Sequence, residues 1–179
     1  MQVRQTPFVA PWRRLRAGLA RWPDGRGWAL AAAVGGLALA AELAIGLAGG
    51  FLRPAPPDWS VLPGALLVAM AAPALGEEAV FRGLFVPDRD ETARPWPAIL
   101  ATTVVFVLWH VFEALTFMPG AAPVFLRADF LATTAVLGLA CGWLRWRTGS
   151  LWPAVALHWL EVAGWQIWFG GGMVAKAIS

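Results

Sequence analysis

Polarity along this chain changes in long blocks. Five apolar runs, at about 28–51, 61–86, 96–118, 124–144 and 151–169, are separated by short stretches that collect the prolines, glycines and charges. Runs of this length, without strand alternation or a single apolar stripe, predict helices that are apolar on all sides. About 20 helical residues cross the ~30 Å hydrocarbon core of a bilayer. The pattern therefore predicts an all-α polytopic transmembrane helix bundle of about five spans. Pro63 and Pro73 should bend the second span, Pro119-Gly120 and Pro123 mark the turn before the fourth, and Thr148-Gly149-Ser150 separates the fourth from the fifth. Gly170-Gly171-Gly172 ends the last helix, and the small-residue pairs Gly46/Gly50 and Gly138/Gly142 would let helices approach closely.

Composition agrees: 59% of the 179 residues are hydrophobic and 14% charged, too apolar for an ordinary soluble domain. Residues 1–27 form a basic segment suited to a membrane surface, and residues 28–172 form the transmembrane domain. The run at 28–51 is too long for the ~7–15-residue core of a signal peptide, so it is read as a retained span. The single cysteine, Cys141, excludes an intrachain disulfide and a CxxC pair. With five spans, Arg4, Arg13, Arg14, Arg16, Arg21, Arg26, Arg82, Arg89, Arg94, Arg145 and Arg147 fall on one side, and Arg53, Arg127 and Lys176 on the other. This asymmetry places the N-terminus in the cytoplasm and the C-terminus outside. The positive charge sits at the ends of apolar runs, which argues for a lipid bilayer and against nucleic acid as its partner.

Chemistry enters where charge interrupts the spans. Gly76-Glu77-Glu78-Ala79-Val80-Phe81-Arg82-Gly83 places three charges in an apolar run, each costing about 2.5–3.5 kcal/mol on insertion scales unless it faces an interior or a cavity. On a helix Glu78 and Arg82 are i and i+4 with the acid first, the favourable order for an ion pair. Glu77 points ~100° away and is free to face something else. His110 and Glu113 lie in the third span, His158 and Glu161 in the fifth. Converging on one cavity, a carboxylate and an imidazole can activate water. On pattern alone these histidines serve equally well as interhelical hydrogen-bonding groups, and Glu77, His110 and His158 would also be adequate zinc ligands, although no HExxH spacing is present. Glu113 either orients His110 or bonds a neighbouring helix, and Glu42 reads as structural.

Glu77-Glu78-Ala79-Val80-Phe81-Arg82 has the form EExxxR, and Phe106-Val107-Leu108-Trp109-His110 the form FxxxH. His158 follows Ser150-Leu151-Trp152-Pro153-Ala154. In order and spacing these motifs resemble those of the CAAX protease and bacteriocin-processing family (CPBP, also called Abi) over about residues 61–169. The resemblance implies a glutamic-type intramembrane endopeptidase without organic cofactor or metal. Glu77 and His110 would activate water, His158 would help hold the oxyanion, and Glu78 and Arg82 would support the site. It implies a bacterial inner membrane and a membrane-associated protein or peptide substrate, with a C-terminal sorting signal as one form. The family usually has Asn or Asp four residues after the third-motif histidine, where this chain has Val162. Glu161 and Gln166 are the nearest polar replacements. Some members work without catalysis, in bacteriocin immunity or as scaffolds, and that alternative applies here.

Overall fold

The computed structural model describes residues 10–57 and 59–171. Arg4, Gly172 and Lys176, used above, lie outside them. Among the described residues every regular element is a helix: α1 (Pro11–Ala20), α2 (Gly25–Gly49), α3 (Leu62–Ala69), α4 (Trp96–Leu115), α5 (Ala122–Phe125), α6 (Ala128–Thr148) and α7 (Trp152–Trp168). Helix α3 runs on into two π-helical stretches, Met70–Glu77 and Ala79–Leu84, joined at Glu78. Pro73 lies inside the first of them. Its ring removes a donor and clashes with the carbonyl one α-turn back, and the wider π turn relieves both. The bend expected at Pro73 is therefore met by a local change of helix type.

The helix ends follow ordinary rules. The Asp24 side chain accepts a hydrogen bond from Gly27 N at 2.7 Å and caps α2, whose far end closes on Gly50 at φ 88°. Helix α6 carries Asp129 in its first turn and Arg145 and Arg147 in its last, matching the helix dipole, and ends on Gly149 at φ 67°. Only glycine adopts that left-handed conformation freely.

Three helical stretches, Gly25–Gly49, Leu62–Leu84 and Trp96–Leu115, are long and apolar enough to cross a membrane. Pro119–Phe125 and Ala128–Thr148 make a fourth when taken as one span bent by 85°. The sequence pattern ran the fourth span from residue 124. The chain instead breaks at Leu126-Arg127, where the Arg127 guanidinium bonds the Gly49 carbonyl at 2.7 Å and Asp129 at 2.8 Å. Helix α7, in the place of the fifth expected span, has 17 residues and is ~25 Å long. Many large apolar side chains point outward, among them Leu37 at 75% and Leu67 at 72% exposure, as in a helix bundle whose solvent is lipid.

Helix α6 is the axis of the bundle and packs against α2, α4, α7 and the second π stretch. Phe81, Phe106, Leu137, Cys141, Leu144 and Leu157 form the principal core around it. Gly138 and Gly142 face Thr103 and Ile99 of α4 and allow the close α4–α6 crossing expected of them. Gly46 and Gly50 do something else. Gly46 makes room for Phe51 and Leu52, which fold back against the end of α2, and Gly50 makes the left-handed turn, so that pair builds a chain reversal and no helix crossing.

The basic N-terminal segment is anchored to the bundle. Helix α1 lies against the second π stretch, with Leu15 over Gly83. Arg14 grips Glu91 through Nε and NH2, the shortest contact being 2.7 Å, and also bonds the Leu84 carbonyl at 3.3 Å. The carbonyls at the end of α1, left without intrahelical donors, accept from Leu151 N (to Gly18 O, 3.0 Å) and from Trp152 Nε1 (to Leu19 O, 2.9 Å). Arg145, counted above among surface charges, is buried beneath α1 and bonds the Arg14 carbonyl.

A Cβ on Gly138 would lie 2.8 Å from Thr103 Cγ2 and 3.2 Å from an Arg82 guanidinium nitrogen. Gly138→Val should therefore cost roughly 1–3 kcal/mol by overpacking. Gly36 has nothing within 4 Å, so Gly36→Ala should be neutral or stabilising by up to about 1 kcal/mol. Thermal unfolding in detergent measures both, and equal melting temperatures would contradict the α4–α6 contact.

Candidate active site

The π-helical segment Met70–Leu84, α4 and α7 bring the sequence-nominated residues together. Glu78 and Arg82 form the ion pair read from their spacing, with NH1 to Oε1 at 2.9 Å and both side chains 0% exposed. The same Glu78 oxygen accepts a hydrogen bond from His158 Nδ1 at 2.9 Å. Arg82 is thus not a loop charge, as the side-by-side count of basic residues assumed. Its guanidinium stands 4.2 Å from the centroid of the Phe106 ring, and that cation–π contact offsets part of its desolvation. Arg82 Nε and NH2 and Glu78 Oε2 have no hydrogen-bond partner among the described residues.

Glu77 faces the other way, as the ~100° separation requires. Its side chain is 16% exposed against 0% for Glu78, because it looks into a cavity of about 860 Å³. Glu77 Oε2 lies 3.9 Å from His158 Nε2 and has no hydrogen-bond partner among the described residues. His110 is buried and its Nδ1 lies 2.9 Å from the Phe106 carbonyl. A carbonyl only accepts, so Nδ1 carries the proton and Nε2 keeps its lone pair. Glu77, His110 and Glu113 each offer one ligand-type atom within 4.8 Å of the others. These three are the described residues placed to hold a metal ion, with Glu113 where the sequence had suggested His158.

Two further acids line the cavity. Glu42 of α2 and Glu161 of α7 both line it, a shared location that the position of Glu42 in sequence did not reveal. Both Glu42 carboxyl oxygens lack a donor among the described residues. Val162 and Gln166 also face the cavity, so the position after His158 that departs from the family pattern is in the site. Glu113, left open between two uses, belongs to the cavity as well, one turn beyond His110. The signal for it was that i, i+3 spacing.

The remaining wall is largely aromatic and aliphatic, including Phe106, Trp109, Phe125, Phe130 and Trp165. A carboxylate, an imidazole nitrogen with a free lone pair and a second imidazole thus share a largely apolar cavity. That combination can deprotonate a water and hold it against a bound carbonyl.

Removing one member of the buried pair leaves an uncompensated charge. Glu78→Gln or Arg82→Met alone should lose about 3–5 kcal/mol, and the double variant should recover much of that loss. Thermal unfolding of the four proteins gives the coupling energy, and additive losses would mean the pair is energetically silent.

Searches of curated proteins and of solved structures return no match. A protein-family model, described as type II CAAX prenyl endopeptidase Rce1-like, matches residues 58–163, more than half of the chain and all three motifs. It agrees with the resemblance drawn from EExxxR, FxxxH and the third-motif histidine. The chain belongs to this Rce1-like family of CAAX endopeptidases and is an integral membrane protein.

Proposed function

We propose that the protein is a glutamic-type intramembrane endopeptidase that hydrolyses a peptide bond of a membrane-associated protein substrate. The observation that carries this reading is Glu77, which lines the cavity with Oε2 unpartnered among the described residues and 3.9 Å from His158 Nε2, and which offers a carboxylate oxygen within 4.8 Å of a His110 nitrogen. In the proposed step a water sits between Glu77 and His110 Nε2. Glu77 takes one proton as the oxygen attacks the scissile carbonyl, and the tetrahedral oxyanion forms. Collapse of that intermediate breaks the C–N bond, and the proton held by Glu77 passes to the leaving nitrogen.

His158 is assigned to the oxyanion. Its Nδ1 donates to Glu78, so donation from Nε2 requires a ring protonated at both nitrogens. Glu78 lies against both that imidazolium and the Arg82 guanidinium, and Glu77, 3.9 Å from His158 Nε2, supplies the second negative charge beside these two cations. Val162 adds no donor, so Val162→Asn should raise turnover, one donor being worth up to ~2.7–4 kcal/mol at such a site.

Metal-assisted hydrolysis is the second reading, favoured by the proximity of Glu77, His110 and Glu113. The two separate on Glu113. Glu77→Gln should lower turnover by roughly 10²–10⁴-fold with the melting temperature retained, whereas Glu113→Gln should keep substantial activity. Full activity in Glu77→Gln would remove the proposed base. Loss of both activity and a stoichiometric metal in Glu113→Gln, reversed by added zinc in the wild type after chelation, would establish the metal instead.

The proposed orientation has the N-terminus in the cytoplasm. With the buried Arg82 and Arg145 set aside, Arg13, Arg14, Arg16, Arg21, Arg26, Arg89, Arg94 and Arg147 still outweigh Arg53 and Arg127 on the other side. Reporters fused after residues 27 and 92 should read as cytoplasmic and a C-terminal fusion as extracytoplasmic; a periplasmic signal after residue 27 would invert the assignment.

A further inference from the structure

A second recess, of about 610 Å³, lies where the α1–α2 link, the start of α2, the 87–95 loop and the end of α6 meet. Arg21, Arg26, Arg89 and Arg147 line it, and Asp24 is the only acid in its wall among the described residues. A guanidinium stays protonated in proteins, so each needs a counter-charge or free hydration. Arg21 has one, with Asp88 at 3.7 Å and Asp90 at 3.9 Å. The Asp24 carboxyl is committed to capping α2 at Gly27 N. The side chains of Arg26, Arg89 and Arg147 form no hydrogen bond or ion pair with the described residues, and all three are exposed around the same opening. The positive end of the α2 dipole adds to the same field.

The wall of this recess is not wholly polar. Trp22 and Leu30 belong to it, and Trp22 packs against Trp28 and Trp152, each at 5.6 Å between ring centroids. The recess also sits where two apolar helices stop: α2 begins at Gly25 and α6 ends at Thr148. Tryptophans at helix ends lie at the level of lipid headgroups. Directly below, the outer face of α2 is open to acyl chains, with Leu37 75% exposed.

We propose that this recess binds the phosphate-bearing headgroup of an anionic phospholipid, with Arg26, Arg89 and Arg147 on the phosphate and Trp22 and Leu30 against the glycerol and upper acyl chain. Unpaired basic groups at the membrane surface and an adjoining apolar wall are the two halves of such a ligand. A free phosphate would use only the first half. The recess is separate from the cavity that holds Glu77, and no residue lines both.

The test uses the full chain purified in a neutral detergent and examined by native mass spectrometry with added phosphatidylglycerol or phosphatidylcholine. The wild type should retain phosphatidylglycerol in preference, and Arg26→Ala/Arg89→Ala/Arg147→Ala should lower that retention by roughly a hundredfold, at about fivefold per arginine. The lysine triple variant should keep most of it, since headgroup attraction depends mainly on charge. The alanine variant should melt as the wild type does in lipid-free detergent, because none of the three side chains bonds the protein. Equal retention of the two lipids, or undiminished retention by the alanine variant, would overturn the proposal. Displacement of the bound lipid by millimolar inorganic phosphate, or phosphate binding with equal affinity, would assign the recess to a soluble anion instead. A destabilised alanine variant accompanied by loss of binding in the lysine variant would show that the arginines are structural, which also overturns it.

Discussion

The molecule is arranged around a charge cluster buried where water is scarce. Glu78 accepts from Arg82 and His158 at 2.9 Å each, through a single oxygen, with the acid and the guanidinium wholly buried. Such a cluster is tolerable only if all three charges and dipoles are held in register, because an unpaired member at this depth costs several kcal/mol. Two helices must then stay at fixed positions relative to each other. Helix α7 is held to the π segment by His158, and Phe106 of α4 stacks on Arg82 from a third side. The ion cluster is thus the point at which the three motif-bearing helices are tied together.

The rest of the bundle keeps that tie in place. Helix α6 offers glycines where α4 must come close, and Gly138 sits beside the Arg82 guanidinium itself. Helix α1 braces the same segment from outside, with Leu15 on Gly83 and Arg14 on Glu91. A basic segment suited by its sequence to a membrane surface is also part of the scaffold of the site. The cavity is then walled by α2, the α3–π segment, α4, α6 and α7, with aromatic side chains from α4, α6 and α7 beside its acidic and imidazole groups.

Much of this was legible in the sequence because it is local or compositional. The i, i+4 order of Glu78 and Arg82 contained their pairing, and three charged motifs in apolar spans pointed to one interior site. What escaped reading depends on contacts between distant residues. Nothing near Glu42 in sequence indicates Glu161, since the two come to line one cavity only when α2 and α7 pack. Arg145 looked like a surface charge at a helix end until α1 folded over it. Gly46 and Gly50 share the spacing of a helix-crossing pair, yet the two residues that follow fold back and use the space first. Hydropathy also cannot register a change of helix type, so the π turns around Pro73 and Arg82 were invisible in a block pattern that is apolar either way.

Those wider turns bear on how the segment tolerates changes of length. Relaxation of the Met70–Leu84 stretch into an ordinary α-helix would alter the angle between successive side chains. Loss of one residue between Pro73 and Glu77 would swing the following carboxylates by ~100° about the axis. Glu77 would leave the cavity, and Glu78 would be carried off Arg82's neighbours on α7. A substitution among the small residues before Glu77 changes only packing, whereas a deletion there changes which acid faces the cavity. The spacing from Pro73 to Arg82 is consequently under tighter constraint than the identity of most residues within it, and drift in this part of the chain is expected to proceed by replacement and not by insertion or deletion.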